Sequence, residues 1–378
     1  MNRRNADIAI VGAGIAGAAA AYFIGERARV VVLEQESQPG YHSTGRSAAL
    51  FTATYGVAST RALTAASRAF LETPPAGFCT HPLLTPRGVL LIGTPADSAA
   101  MQAQLDLFRV HAPTVRGVTV AAAIDMVPVL KPDSLGCAML EPDAMDIDAN
   151  ALHAGYLRGA RERGAQIVCD AGVDHIERHG DGWRLTTRAG VYTARVVINA
   201  AGAWADEVAR RAGIAPLGLI PKRRTALLID APAAAARWPM VLDFHEAFYF
   251  KPDAGRLLLS PADETPSPPC DAQPDEMDIA LAVDRLERAT TLTVKRIIAK
   301  WAGLRVFAPD KALVAGFDAA HAGFFWLAGQ GGYGIQTSPA MARIAAGIIL
   351  DGALPADIAA HGVVADELAP ARFAPTHL

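Results

Sequence analysis

Asp7-Ile8-Ala9-Ile10-Val11 runs directly into Gly12-Ala13-Gly14-Ile15-Ala16-Gly17, and Val30-Val31-Val32-Leu33-Glu34 follows after an Ala-rich stretch. The first run is short, apolar and rich in β-branched residues, the composition of a buried parallel strand. Ala18 to Ile24 predicts a helix, and Val30 to Leu33 a second strand that ends on an acid. Strand, G-x-G-x-x-G, helix, strand and acid together make one βαβ unit that binds a dinucleotide. Gly12 permits the tight turn, Gly14 lets a pyrophosphate approach the backbone, and Gly17 lets helix and strand pack closely. The helix N-terminus at Ile15 and Ala16 offers free N–H groups and a positive dipole end to phosphates. Glu34 is placed to take both hydroxyls of an adenosine ribose, which argues against a 2′-phosphate and so against NADP.

The remaining composition sets broad limits. The chain has 378 residues, 51% hydrophobic and 19% charged, enough for a large core and against long disorder. A formal charge of -3 gives no reason to expect nucleic acid as a partner. Cys79, Cys137, Cys169 and Cys270 lie far apart without C-x-x-C or His-linked spacing and read as free thiols. None of the ten histidines falls at ligand spacing, so no metal site is expected. Met1-Asn2-Arg3-Arg4 before an apolar stretch resembles a secretory or twin-arginine start. Cleavage in Ala18–Ala21 would remove the phosphate loop, however, and no other segment is long and uncharged enough to span a bilayer. A cytoplasmic protein is expected.

Beyond Glu34, the small polar run Tyr41-His42-Ser43-Thr44-Gly45-Arg46-Ser47-Ala48 sits where a cofactor-facing loop belongs. Asp148 is a good N-cap for a helix over 149–163, and Arg195 to Asn199 reads as a buried strand closing on Ala200-Ala201-Gly202-Ala203-Trp204. Residues 216–300 change character: Pro- and Ala-rich turns separate strand-like runs such as Thr225 to Ile229 and Phe248-Tyr249-Phe250. The last segment returns to α/β order. Phe324 to Ala328 reads as strand, Gly329-Gln330-Gly331-Gly332-Tyr333-Gly334 as loop, and Ser338 as the cap of a helix to about Leu350.

Four stretches together carry a resemblance: the N-terminal fingerprint, Asn199–Trp204, Trp301-Ala302-Gly303-Leu304-Arg305, and Gly331-Gly332-Tyr333-Gly334-Ile335-Gln336-Thr337. The chain resembles, essentially end to end, the FAD-dependent D-amino acid oxidase and dehydrogenase family. Within it, the bacterial D-arginine dehydrogenase type is most similar through Gly40–Ala49, Arg61–Phe70, Pro221–Arg224 and Phe248–Gly255. The resemblance implies an α/β fold, α+β overall, with a discontinuous Rossmann-like FAD domain (1–85, 145–215 and 300–378). An antiparallel substrate domain (86–144 and 216–299) would lie over the flavin. It implies non-covalent FAD, since no histidine or cysteine marks a tether. Gly12 to Gly17 would hold the pyrophosphate and Glu34 the adenosine ribose, and Gln35, Val173, Ala201, Gly202 and Trp204 would also bind the cofactor. Ser43, Thr44, Arg46, Ser47 and Ala48 would run along the pyrophosphate and flavin. Gly303 and Gly331 to Thr337 would sit at the isoalloxazine, where backbone N–H groups stabilise the reduced ring.

By the same resemblance Arg305 holds the substrate carboxylate as a bidentate, charge-assisted pair. Arg224 would be the second carboxylate-binding arginine, with Arg223 facing the other way by strand alternation. Tyr55 and Tyr249 would close over the substrate, and the Gly332 carbonyl would accept from its amine. Thr52 belongs to the same pocket. At places where arginine-type enzymes carry an acid and polar groups, this chain has Leu50 and Val89 beside Met240 and Leu242, and Pro86 to Thr94 contains no acid. The expected activity is therefore oxidative deamination of free D-amino acids with neutral or apolar side chains, by hydride transfer to flavin N5. The products are 2-oxo acids and ammonia, and the acceptor that reoxidises the flavin is oxygen or a quinone. An oxidase of glycine or secondary amines is the nearest alternative. An NAD(P)H-dependent flavin monooxygenase is more distant, because no second glycine fingerprint is found.

Overall fold

A computed structural model describes residues 3–373. Its first sheet has six strands in the order Gln166–Val168, Val30–Leu33, Ile8–Val11, Val196–Asn199, Phe324–Ala328 and Val314–Phe317. All neighbours run parallel except the last pair. Ile8–Val11 lies near the middle, and every residue of it and of Val30–Leu33 is buried. Helices cover one face of this sheet, which is why the strands read as unbroken apolar runs. The helices Ile15–Ile24, Ala149–Glu162 and Gly334–Asp351 pack together there. Asp148 caps the second of them, its carboxylate accepting from Ala151 N at 2.7 Å. The other face is closed by the helix Ala205–Arg211 and a four-stranded sheet that includes the hairpin Gly182–Thr187/Gly190–Ala194.

The large sheet has eight strands: Ile297–Phe307, Ile220–Asp230, Arg256–Ser260, Tyr249–Asp253, Met240–Asp243, Val89–Gly93, Cys137–Glu141 and Arg116–Val118. It is antiparallel apart from one parallel pair, Met240–Asp243 with Val89–Gly93. Its register sets the next level of structure: Arg224 pairs with Gly303, Tyr249 with Leu242 and Ser260, Met240 with Val89, and Val89 with Glu141. A small three-stranded sheet, Leu50–Phe51, Met145–Ile147 and Leu84–Pro86, lies beside it.

Two expectations need correction. Ser338 does not cap the last helix, which begins at Gly334. Ser338 is buried inside it, its hydroxyl donating to Ile335 O at 3.0 Å. Gly334, expected in the loop, enters the helix because it packs against the helices Ile15–Ile24 and Ala58–Glu72, whereas Gly329, Gly331 and Gly332 stay outside it. Ile297–Phe307 also crosses the boundary expected at residue 300, for its whole length pairs with Ile220–Asp230 in the large sheet.

Candidate active site

The dinucleotide end is assembled by the first sheet. Gly12 has φ +101°, and a Cβ there would come within 2.6 Å of Ala200 O. At Gly17 a Cβ would overlap the Gly12 carbonyl oxygen, so this glycine serves helix–strand packing rather than ligand contact. Gly14 differs: its Cβ position meets only Thr44 Oγ1, at 3.3 Å, leaving a cradle open to a phosphate. Glu34 is buried at the strand end, where its two oxygens accept from Ala13 N at 2.7 Å and Glu36 N at 3.0 Å. Those bonds orient the carboxylate toward a cleft lined also by Gly12, Gly14, Gln35, Ser43, Thr44, Val173, Ala201, Gly202 and Trp204. His153, which no sequence motif marks, supports the same end. Its Nε2 bonds Ala13 O at 2.8 Å inside the glycine loop, and burial holds its pKa below the ordinary imidazole value.

The other positions on the predicted cofactor path divide. Ile15 N donates to Thr44 Oγ1 at 3.0 Å, and Ser43 Oγ to Leu304 O at 2.6 Å, which fastens this loop to both sheets. Arg46 does not present a free cation. Its guanidinium donates to Ala272 O at 3.0 Å and Ala302 O at 2.8 Å and pairs with Asp271, so it staples the loop to the substrate side. Ala16 is half-buried on its helix. Thr337 is fully buried and donates to Tyr333 O at 2.9 Å, an interior helix residue rather than a lining one. Gly331 has φ +51° and donates to Val306 O at 2.8 Å, tying the glycine loop to the strand that carries Arg305. A Cβ on Gly303 would meet Arg46 Cβ at 3.5 Å, and one on Gly334 would meet Gln330 Cβ at 3.0 Å.

A cavity of about 730 Å³ opens against the large sheet. Arg305, Arg224, Tyr55, Tyr249 and Gly332 all line it, as do Leu50, Thr52, Val89, Met240 and Leu242. Ser47, Ala48, Tyr333, Ile335 and Gln336 complete the side that continues toward the glycine loop. Arg305 Nη1 donates to Tyr55 Oη at 3.0 Å. A Cβ on Gly332 would come within 3.0 Å of both atoms, so glycine there leaves them room. Among the described residues no carboxylate lies within ion-pair distance of Arg305. Arg224 is buried and already matched: Nε donates to Asp263 O at 2.8 Å and Nη2 to Glu264 Oε1 at 3.3 Å. Arg223 turns the other way, to Asp278 at 2.7 Å.

Electrostatics separate the aromatic hydroxyls. Burial alone would raise the Tyr249 pKa, yet Arg305 and Arg224 facing it bring the value below that of an ordinary tyrosine. Tyr333, where burial dominates, is pushed well above it. Burial disfavours the Arg305 cation, but Tyr55, Tyr249 and Glu246 opposite it carry its pKa above the usual guanidinium value.

The expectation of an acid-free pocket is not met. Glu141, Glu246 and Glu264 line the same cavity. Glu141 reaches it because Cys137–Glu141 pairs with Val89–Gly93, which sets the acid directly opposite Val89. It is 5% exposed and accepts from Thr52 Oγ1 at 2.6 Å, Thr54 Oγ1 at 2.6 Å and Ala53 N at 2.7 Å. Glu264 pairs with Lys222 at 2.8 Å. No local signal marked either residue, since their places follow from strand pairing and from the turn after Ser260.

Comparison with known proteins fits this geometry. The family model for FAD-dependent oxidoreductases matches residues 7–348. Glycine oxidase of Geobacillus kaustophilus is 25% identical over 96% of this chain and 95% of its own length. Its crystal structure superposes with a TM-score of 0.81 at 24% identity, covering 92% of this chain and 95% of that one. The L-proline dehydrogenase structure from P. horikoshii gives a TM-score of 0.85 at 19% identity, with 98% of each chain covered. Glycerol-3-phosphate dehydrogenase 1 of Mycobacterium tuberculosis is 31% identical over 207 residues, 51% of this chain but only 39% of that protein. The open cradle at Gly14 and the oriented Glu34 carboxylate are what an adenine dinucleotide needs. The chain belongs to the FAD-dependent oxidoreductase family, and its cofactor is FAD.

Proposed function

We propose that this enzyme oxidises free α-amino acids, of D configuration and with neutral or apolar side chains, to imino acids that hydrolyse to 2-oxo acids and ammonia. One observation carries the reading. Arg305 is a cation facing the cavity whose side chain bonds only a neutral hydroxyl among the described residues. Cations inside proteins are paired, and a planar guanidinium matches a carboxylate in two parallel hydrogen bonds. A substrate carboxylate supplies the missing partner. Tyr55 and Tyr249 flank that position, and the Gly332 carbonyl is available to accept from the amine. Bound FAD supplies a two-electron acceptor. The chain's own residues orient the α-carbon and exclude water.

A phosphate dianion fits less well. Beside Arg305, Arg224 is held by Glu264 and Asp263, and although Arg61 and Lys311 also line the cavity, three carboxylates share it. The wall of Leu50, Val89, Met240 and Leu242 supports apolar side chains, gaining about 0.8 kcal/mol per buried methylene. Glu264 does not reverse that preference, because Lys222 and Arg224 already pair with it. Glu141 and Glu246, which have no cation within ion-pair distance among the described residues, are the acids that the comparison with D-arginine tests. A second reading, oxidation of glycine or a secondary amine, is favoured by the near full-length similarity to glycine oxidase.

The test is anaerobic mixing of the yellow protein with D- and L-amino acids, glycine, sarcosine and glycerol 3-phosphate, watching the flavin bleach. Bleaching by D-leucine or D-methionine, tenfold or more faster than by D-arginine, is expected. Bleaching by glycine or sarcosine alone would select the second reading, and bleaching by glycerol 3-phosphate alone would overturn both.

A further inference from the structure

Glu141 is a buried carboxylate with three donors and no cation among its hydrogen-bond partners, and those donors come from three consecutive residues. Thr52 Oγ1 at 2.6 Å, Ala53 N at 2.7 Å and Thr54 Oγ1 at 2.6 Å all converge on it. The next residue is Tyr55, whose hydroxyl accepts from Arg305 at 3.0 Å. The same segment is held once more at Thr52, whose N–H donates to Gln336 Oε1 at 3.1 Å, and Gln336 Nε2 in turn donates to Thr64 at 2.8 Å. Nothing else among the hydrogen bonds of the described residues ties Ala53 or Thr54 to the large sheet. Charge-assisted hydrogen bonds are about twice as strong as neutral ones, so an ionised acceptor is the firmest available anchor for a short irregular segment.

We propose that Glu141 is a positioning residue: it fixes the segment 52–54 and thereby sets the Tyr55 hydroxyl against Arg305, orienting the guanidinium for an incoming carboxylate. The chain of contact is continuous. Glu141 stands on the strand Cys137–Glu141 of the large sheet, and Arg305 on its far edge strand Ile297–Phe307. The anchored segment bridges them over the cavity, because two residues span at most about 7 Å and a tyrosine side chain supplies the rest. Without the anion, three donors lose their acceptor at once, and Tyr55 is no longer held at one distance from Arg305. The effect should fall on carboxylate binding rather than on FAD.

This inference rests on the reading of Arg305 as the carboxylate site, so the experiment separates the two. Benzoate, a carboxylate with no oxidisable α-carbon, is titrated into the FAD-loaded wild type, Glu141→Ala, Glu141→Gln, Tyr55→Phe, the Glu141→Ala/Tyr55→Phe double variant and Arg305→Ala. Flavin absorbance reports both benzoate binding and FAD content. Glu141→Ala and Tyr55→Phe should each weaken benzoate about five- to tenfold, and the double variant no more than about twofold beyond either single. Neighbours acting through one contact are non-additive in this way. Glu141→Gln, which keeps an acceptor oxygen, should stay within about threefold of the wild type. A merely structural role would instead give additive losses, or loss of FAD with unchanged affinity in the protein that retains it. Either result overturns the proposal, as does wild-type affinity in Glu141→Ala. If Glu141→Ala does not fold, Thr54→Val, which removes one of the three donors, carries the same comparison with Tyr55→Phe. Arg305→Ala binding benzoate as well as the wild type would sink the carboxylate site itself.

Discussion

Between Asp7 and Glu34 one unbroken segment supplies the turn, the helix terminus and the buried acid at the strand end. The cavity around Arg305, by contrast, draws on residues from Ser47 to Val57, from six different strands of the large sheet, and from the loop after Phe324–Ala328. The first region is specified by spacing: three glycines and an acid at fixed offsets leave one backbone solution. The second is specified by register, which only the assembled sheet defines. Damage to the backbone of the first should therefore be all-or-none, whereas loss of a single side chain in either should be graded.

The most severe expected change is in the first region. Gly12→Val puts a branched side chain at φ +101° and against Ala200 O. Neither strain nor overlap can be relieved without parting two buried strands, so the variant should be insoluble or colourless. Yellow, folded Gly12→Val protein would break the comparison outright. Val89→Glu comes next and belongs to the second region. It is the change an acid-free reading of the pocket suggests for gaining arginine activity, yet Glu141 lies directly opposite. Two carboxylates facing across a strand pair repel, and burying the second costs several kcal/mol. Thermal denaturation should show a Tm lowered by many degrees and no gain on D-arginine. A stable variant active on D-arginine would show that the cavity reorganises freely.

Glu34→Ala should be milder, because it leaves the turn intact while removing the acceptor for Ala13 N and Glu36 N. Losing the carboxylate's charge-assisted hydrogen bonds to a ribose would cost about 1.5–3 kcal/mol, so FAD affinity should fall roughly ten- to a hundredfold. Equilibrium dialysis of the variant measures it, and unchanged affinity would contradict the ribose assignment.

How far the sequence reaches follows the same division. Glu34, Gly14 and Asp148 could be read because each acts within a few residues of the element it serves. Ile8–Val11 and Phe324–Ala328 could be read because both are buried strands of uniform apolar composition. Glu141 could not, since its meaning comes from pairing with Val89, and His153 could not, since it meets Ala13 only through helix packing. Arg46 looked like a ligand-facing cation in a polar loop, and its carbonyl partners at Ala272 and Ala302 are remote in sequence. The resemblance to a family singled out Arg305, Arg224, Tyr55 and Tyr249, which the fold brings to one cavity. Strand alternation separated Arg224 from Arg223.

The smallest expected effects are on pH dependence. Tyr249 ionises below the ordinary tyrosine value because Arg305 and Arg224 favour its anion. A tyrosinate beside both guanidiniums competes with the substrate carboxylate, so affinity should decline on the alkaline side, beginning below the usual tyrosine pKa. Tyr249→Phe should move that decline upward, and an identical profile in the variant would remove Tyr249 from the carboxylate's surroundings. His153 has the opposite consequence, for stability. Its folded pKa lies below the ordinary imidazole value of 6.5, so the unfolded chain binds a proton that the folded one refuses. Its contribution is complete above 6.5 and is lost as pH falls through the depressed folded value. Tm measured across that interval should therefore drop more in the wild type than in His153→Gln.

The most direct measurement compares each amino acid with its amide in the wild type and Arg305→Ala. A charge-assisted pair to a desolvated carboxylate contributes about 1.5–3 kcal/mol, so Arg305→Ala should lose about ten- to a hundredfold in kcat/KM on the acids. The wild type should use amides poorly, and Arg305→Ala should treat acid and amide nearly alike. Equal turnover of acid and amide by the wild type, or an Arg305→Ala enzyme that still prefers the acid, would contradict the account.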